Sequence, residues 1–149
     1  MIEDSRVASL VDTNILVYCF DPAALTKRFA ARELLRTGAS EQFLRIPHQA
    51  LIEFVSVVTR RSRGTPLLSP HEATRQAEGF MAGFPVLYPN EHVFRTALRG
   101  MASYQLSWFD AHIWAYAEHY GIDEILSEDL EHGRMYGTVR IRNPFLGLA

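Results

Sequence analysis

Strand-like runs a few residues long alternate with helix-patterned segments along this whole chain, and that alternation narrows the possible folds more than any other feature. The runs are residues 8–12, QFLRIP at 42–47, 84–87, EIL at 124–126 and TVRI at 138–141. Between them the apolar spacing predicts helices. Residues 22–37 carry Leu25, Phe29, Ala30 and Leu34, with Gly38 as a stop. Residues 48–62 place Leu51, Phe54, Val55 and Val58 on one face. Ser69 opens a helix to about Ala82, Asn90 caps one to about Tyr104, and Ser107 caps one to about Tyr120 that Gly121 ends. Strands separated by helices pair in parallel through right-handed crossovers. The expectation is a single α/β domain over residues 1–149, a three-layer α/β/α sandwich with a central, mostly parallel sheet.

The first run poses a chemical problem. In SLVDTNILVYCF, residues 9–20, Asp12, Thr13 and Asn14 interrupt an apolar run near its start, and an ionised carboxylate in such a setting costs several kcal/mol unless something pairs with it. Three further acids fall where the same architecture would gather them. Glu53 lies early in the 48–62 helix, Asp110 in the first turn of its helix in SWFDAHIWA, and Asp129 just after the 124–126 strand in LSEDLEHG. Helical spacing puts Asp110 on the face of Ile113, Trp114 and Ala117, and Glu53 on that of Ala50 and Val57, so both lean towards apolar surroundings. Open α/β sheets bind ligands beyond the carboxyl ends of their strands.

Each acid has a local explanation. Asp12 can cap the helix that follows it, Ser107 and Asp110 fit a capping box, Asp129 suits a turn, and Glu53 could pair with a distant arginine. Collectively they need a different one. Four converging carboxylates repel, and their pKa values rise unless a cation intervenes. Oxygen ligands without histidine or cysteine clusters favour Mg²⁺ or Mn²⁺ over zinc. Such an ion beside a phosphodiester activates water and stabilises the leaving oxygen.

Composition removes several other classes. No apolar segment is long enough to suggest a membrane helix, and the acidic start MIEDSR does not read as a secretion signal. Cys19 is the only cysteine, which excludes an intramolecular disulfide or a cysteine zinc site; the expected compartment is the cytoplasm. The net charge is −2, with one lysine, Lys27, against fourteen arginines. Arginine suits phosphates and carboxylates equally well, so the bias names no partner by itself. The six histidines are scattered without an H-x-x-x-H pair, and His112 reads as structural or solvent-facing. No nucleophile elbow, phosphate-binding glycine loop or dinucleotide fingerprint is present. A phosphoryl-accepting receiver domain, which also gathers acids at strand ends, would need a late-strand lysine that this chain lacks.

VDTNILVY, an isolated glutamate in the helix after the second strand, SWFDAHIWA, LSEDLEHG and a closing RIRNPF together resemble a PIN domain, and among PIN domains the VapC-type toxin ribonucleases of bacterial toxin–antitoxin pairs. The resemblance runs from about Leu10 to Phe145. It implies a PIN-like sandwich in which Asp12, Glu53, Asp110 and Asp129 hold Mg²⁺ or Mn²⁺ and RNA is hydrolysed to a 5′-phosphate and a 3′-hydroxyl. It further implies that Asn14 and Ser127 orient those acids, with Glu131 at a place where some members carry another. Partners implied are RNA, a cognate antitoxin and a second copy in a homodimer. Arg60, Arg61, Arg63 and Arg134 are candidates for the RNA backbone. The same motifs also fit a PIN nuclease of RNA maturation, or a PIN module that binds RNA or a partner without cutting.

Overall fold

Three residues, Ser9–Val11, suffice for strand β1 because both of its faces are covered and both of its edges are paired. The computed structural model describes residues 7–61 and 64–148. After β1 come helices α1 (Thr13–Tyr18) and α2 (Leu25–Glu41), strand β2 (Leu44–Pro47), helices α3 (His48–Val58) and α4 (Pro70–Gly83), and strand β3 (Val86–Leu87). Helices α5 (Glu91–Tyr104) and α6 (Trp108–Tyr120) precede strands β4 (Glu124–Leu126), β5 (Met135–Tyr136) and β6 (Val139–Arg142). The sheet order is β3-β2-β1-β4-β6-β5. All neighbours run parallel except β5, which is antiparallel to β6.

Alternation along the strands builds the layers. Leu10 and Ile125 face one apolar core with Val93, Ala97, Ile113, Trp114 and Tyr116 of α5 and α6. Their neighbours Val11 and Leu126 face the other, with Ile15, Leu35, Phe54 and Phe80 of α1 to α4. The sheet is therefore sandwiched between two helical layers, as the strand–helix alternation requires. Among the described residues no helix is long and apolar enough to cross a membrane.

The expected caps form. Ser69 Oγ accepts from the Glu72 N–H in a closed capping box, Asn90 Oδ1 accepts from Val93, and Gly121 ends α6 at a φ of 69°. Other details differ. The expected strand at 8–12 is Ser9–Val11, and the apolar run turns at once into α1, with Asp12 as its N-cap. Burial of Ile15 and Leu16 against the sheet holds ILVY in a helix despite its β-branched, aromatic composition. The strands expected at 42–47, 84–87 and 138–141 are Leu44–Pro47, Val86–Leu87 and Val139–Arg142, and β5 is additional. Helix α3 ends at Val58, short of the expected 62.

Gly38 does not stop α2. The helix runs on to Glu41, and Gln42 supplies the left-handed cap at φ 58°. Glycine at 38 serves close approach instead: a Cβ there would lie 2.2 Å from Cδ1 of the fully buried Leu44 in strand β2. Gly38→Ala is expected to destabilise the protein by about 1–3 kcal/mol, because overpacking a closed core outweighs the better helix propensity of alanine; urea denaturation with an unchanged m-value measures it.

Candidate active site

The sheet order reverses direction between β1 and β4, whose crossovers leave towards opposite sides, and such a switch point opens a crevice at the strands' carboxyl ends. Asp12 follows β1 and Ser127 follows β4, tied together by a 3.0 Å bond from the Asp12 N–H to the Leu126 carbonyl. Asp12 is 5% exposed and Ser127 is fully buried. Asp12 Oδ1 accepts from the Thr13 N–H at 2.7 Å, and Oδ2 accepts from Ser127 Oγ at 2.7 Å and Asn14 Nδ2 at 3.4 Å. The capping and site readings of Asp12 thus coexist. One oxygen starts α1 and the other faces the crevice wall.

Asn14 links the two strand ends. Its Nδ2 also donates to Asp129 Oδ2 at 3.1 Å, and its Oδ1 accepts from the Glu128 N–H at 3.3 Å. Ser127 Oγ in turn accepts from the Asp129 N–H at 3.1 Å, bending the chain so that the exposed Asp129 carboxylate returns beside Asn14. A single turn of helix and a tight bend thereby place Asp12, Asn14, Ser127 and Asp129 in one network.

Glu53 and Asp110 come from the two helical layers and are half-buried. Glu53 Oε2 accepts from Thr13 Oγ1 at 2.6 Å and Oε1 from Gln49 Nε2 at 3.1 Å, so the arginine partner that its sequence setting allowed is not what holds it. Thr13 and Gln49 are the supporting residues that sequence reasoning missed. Thr13 sits inside the quoted DTN stretch, and Gln49 lies one turn before Glu53 on the same helix face, a spacing that could have signalled it. At Asp110 only half of the expected capping box forms: Ser107 Oγ accepts from the Asp110 N–H at 3.2 Å.

Electrostatics show that the four acids share one field. Burial pushes the Asp12 carboxyl up from 3.8 to about 6, with the Ser127 and Thr13 hydrogen bonds opposing and the charges of Asp129 and Asp110 adding to it. Burial also raises the pKa of Asp110; the Ser107 bond opposes it, and the charges of Asp129 and Glu53 add to the rise. Every side-chain or N–H donor on this set is neutral. Among the described residues no ion pair joins an arginine, lysine or histidine to Asp12, Glu53, Asp110 or Asp129. A cleft of about 360 Å³ adjoins them, lined by Asn14, Glu53 and Asp129 together with Asp21 and Glu128.

This donor set fits a hard cation in chemistry: carboxylate oxygens from four elements, oriented by neutral hydrogen bonds, with negative charge left uncompensated. Among the described residues no three acidic, imidazole or thiol side chains are drawn together closely enough to form a ligand group.

The remaining sequence candidates lie outside the network. Glu131 is exposed and pairs with Arg134, whose guanidinium also lies over the Tyr136 ring. Arg60 and Arg61 are exposed beyond the end of α3, and Arg63 falls outside the described residues. His112 packs edge-on against Trp108 and lines an apolar cavity of about 300 Å³ whose wall Gln49 and Glu53 share.

The pattern of the PIN domain family matches residues 9–137, and the chain belongs to that family. Solved structures of similar fold include DNA-bound VapBC of Salmonella typhimurium, at 17% identity and a TM-score of 0.69, covering 93% of this chain and 99% of that one. A toxin–antitoxin complex of Klebsiella pneumoniae matches at 15% identity and 0.65, over 93% and 98% of the two chains. VapC20 of Mycobacterium tuberculosis, described as a toxin that cleaves the sarcin–ricin loop, matches at 16% and 0.60, over 79% and 87%. No curated protein sequence matches the chain.

The Asp12 shift sets a pH dependence. Because its folded pKa lies above the unfolded value, the protonated carboxyl stabilises the fold below about pH 4, and that contribution is lost as pH rises through 6. In EDTA, urea denaturation is expected to show a stability component of about 3 kcal/mol disappearing between pH 4 and 7. Asp12→Asn should remove that component, leaving a flatter profile than the wild type.

Proposed function

We propose that this PIN domain is a divalent-metal-dependent endoribonuclease and that it serves as the toxin of a type II toxin–antitoxin pair. The observation that supports the first part is that Asp12, Glu53, Asp110 and Asp129 raise one another's charge burden at the carboxyl edge of the sheet, and among the described residues none of them pairs with an arginine or lysine. Structural residues of this kind pair with arginine or lysine; these do not, which leaves room for a cation and a polyanion.

In this reading the four acids would hold Mg²⁺ or Mn²⁺, and Asn14 and Ser127 fix the Asp12 and Asp129 oxygens in place. A cation bound there supplies charge stabilisation at the phosphate and makes a water more acidic. The chain contributes orientation. Ser127 Oγ, accepting from Asp129 and donating to Asp12, keeps both carboxylates turned inward, while Thr13 and Gln49 hold Glu53 by one oxygen each. Hydrolysis breaks the bond between phosphorus and the 3′-oxygen, leaving a 5′-phosphate and a 3′-hydroxyl.

Likeness of fold to VapBC and to another toxin–antitoxin complex supports an antitoxin as partner, and the described cleavage activity of VapC20 supports RNA as substrate. Exposed apolar side chains on α3, α5 and α6, among them Ile52, Phe94 and Phe109, support association with another chain, for which a homodimer is our proposal. The setting proposed for this activity is the cytoplasm.

Asp110→Asn is expected to abolish RNA cleavage, by a factor of at least about 10², with unfolding in urea essentially unchanged. EDTA should stop the wild type and excess Mn²⁺ or Mg²⁺ restore it. Sequencing of RNA ends after induced expression, wild type against Asp110→Asn, measures both the activity and its target; full activity in the variant, or cleavage indifferent to exhaustive chelation, would sink the proposal.

A further inference from the structure

Among the described residues one buried side-chain polar atom lacks a hydrogen-bond partner, and it is Gln49 Oε1. The opposite end of the amide explains its predicament. Gln49 Nε2 donates to Glu53 Oε1 at 3.1 Å and to the Phe109 carbonyl at 3.2 Å. Turning the amide over would aim Oε1 at those same two oxygens, so two acceptors fix its orientation and Oε1 is left in the interior without a donor.

An unsatisfied buried carbonyl weakens a fold. An unbranched apolar side chain of similar length would fill the space without that defect, so packing alone does not account for glutamine here. What only the amide supplies is a pair of donors set a fixed distance apart. One holds a carboxylate of the acidic ring. The other holds the main chain of α6 immediately before Asp110. With Thr13 on the second oxygen of Glu53, the Glu53 carboxylate is referenced at once to the end of β1 and to the first turn of α6.

We propose that Gln49 is a positioning residue that sets the spacing between the Glu53 and Asp110 carboxylates, and through it the affinity of the cleft for a divalent cation. It acts through Glu53 and Phe109 and touches neither cation nor RNA. This inference rests on the metal-dependent reading of the acids above. It differs from a plain structural tie between α3 and α6 in one respect: a tie stabilises the fold, whereas a positioning amide with an orphaned carbonyl is held at the expense of stability.

The test uses the full chain as wild type, Gln49→Met and Gln49→Ala. Mn²⁺ alone is titrated calorimetrically, thermal unfolding is followed in EDTA, and kcat and KM for RNA cleavage are measured over a range of Mn²⁺. Both variants are expected to bind Mn²⁺ about tenfold more weakly. Their kcat should fall at limiting Mn²⁺ and recover as Mn²⁺ is raised, with KM for RNA unchanged. The melting temperature of Gln49→Met should equal or exceed that of the wild type. Wild-type Mn²⁺ affinity in the methionine variant, or a methionine variant that is destabilised or unfolded, would overturn the proposal. A wild type that binds no Mn²⁺ would overturn the reading of the acids beneath it, which is a separate and recognisable result.

Discussion

Burying a carboxylate at the end of a parallel strand, with only neutral donors to hold it, is the constraint around which this molecule is organised. Asp12 is 5% exposed and takes its hydrogen bonds from a backbone N–H, a hydroxyl and an amide. Hydrogen bonds of this kind favour the anion only in part: burial, with the charges of Asp129 and Asp110 adding to it, still pushes the carboxyl up to about 6. The surrounding architecture follows from supplying those donors. Helix α1 must start directly after β1 so that Thr13 and Asn14 can reach the acids, and β4 must lie beside β1 so that Ser127 can.

The sheet order makes that meeting possible. Between β1 and β4 the chain switches direction across the sheet, and the crossover helices on the two sides diverge from the strand ends. Residues separated by more than one hundred positions become hydrogen-bonded neighbours there, as Asn14 and Asp129 do. Helices α3 and α6 approach the same edge from opposite layers and bring one acid each. The apolar alternation of β1 and β4, Leu10 and Ile125 to one core, Val11 and Leu126 to the other, anchors that edge from both layers.

Much of this was legible in the sequence because it is written locally. Alternating strand and helix patterns gave the sandwich, and Ser69, Asn90, Ser107 and Gly121 marked their helix ends through short-range hydrogen bonds or a left-handed turn. What was hidden depended on distant neighbours. Gly38 reads as a stop until Leu44 is seen pressed against it. At the candidate site the four acids and Asn14 stood out because they interrupt apolar or motif-bearing stretches, whereas Gln49 does neither: its importance appears only once Glu53 and the Phe109 carbonyl are both within reach of one amide.

The lone lysine completes the electrostatic picture. Glu128 adjoins Asp129 and, left free, would add a fifth negative charge to the ring. Lys27 instead pairs with Glu128 at 2.6 Å, lies over the Tyr18 ring, and Tyr18 donates to the same carboxylate. The pair is about one-quarter exposed, so its attraction is screened less than that of a surface pair. Lys27 thus offsets the charge of Glu128 beside the network and is itself held away from the four acids. A mobile cationic side chain in the cleft would compete with a metal ion for the same oxygens. Confining the only lysine to Glu128, and leaving the ring to neutral donors, preserves a field that a small divalent ion can enter.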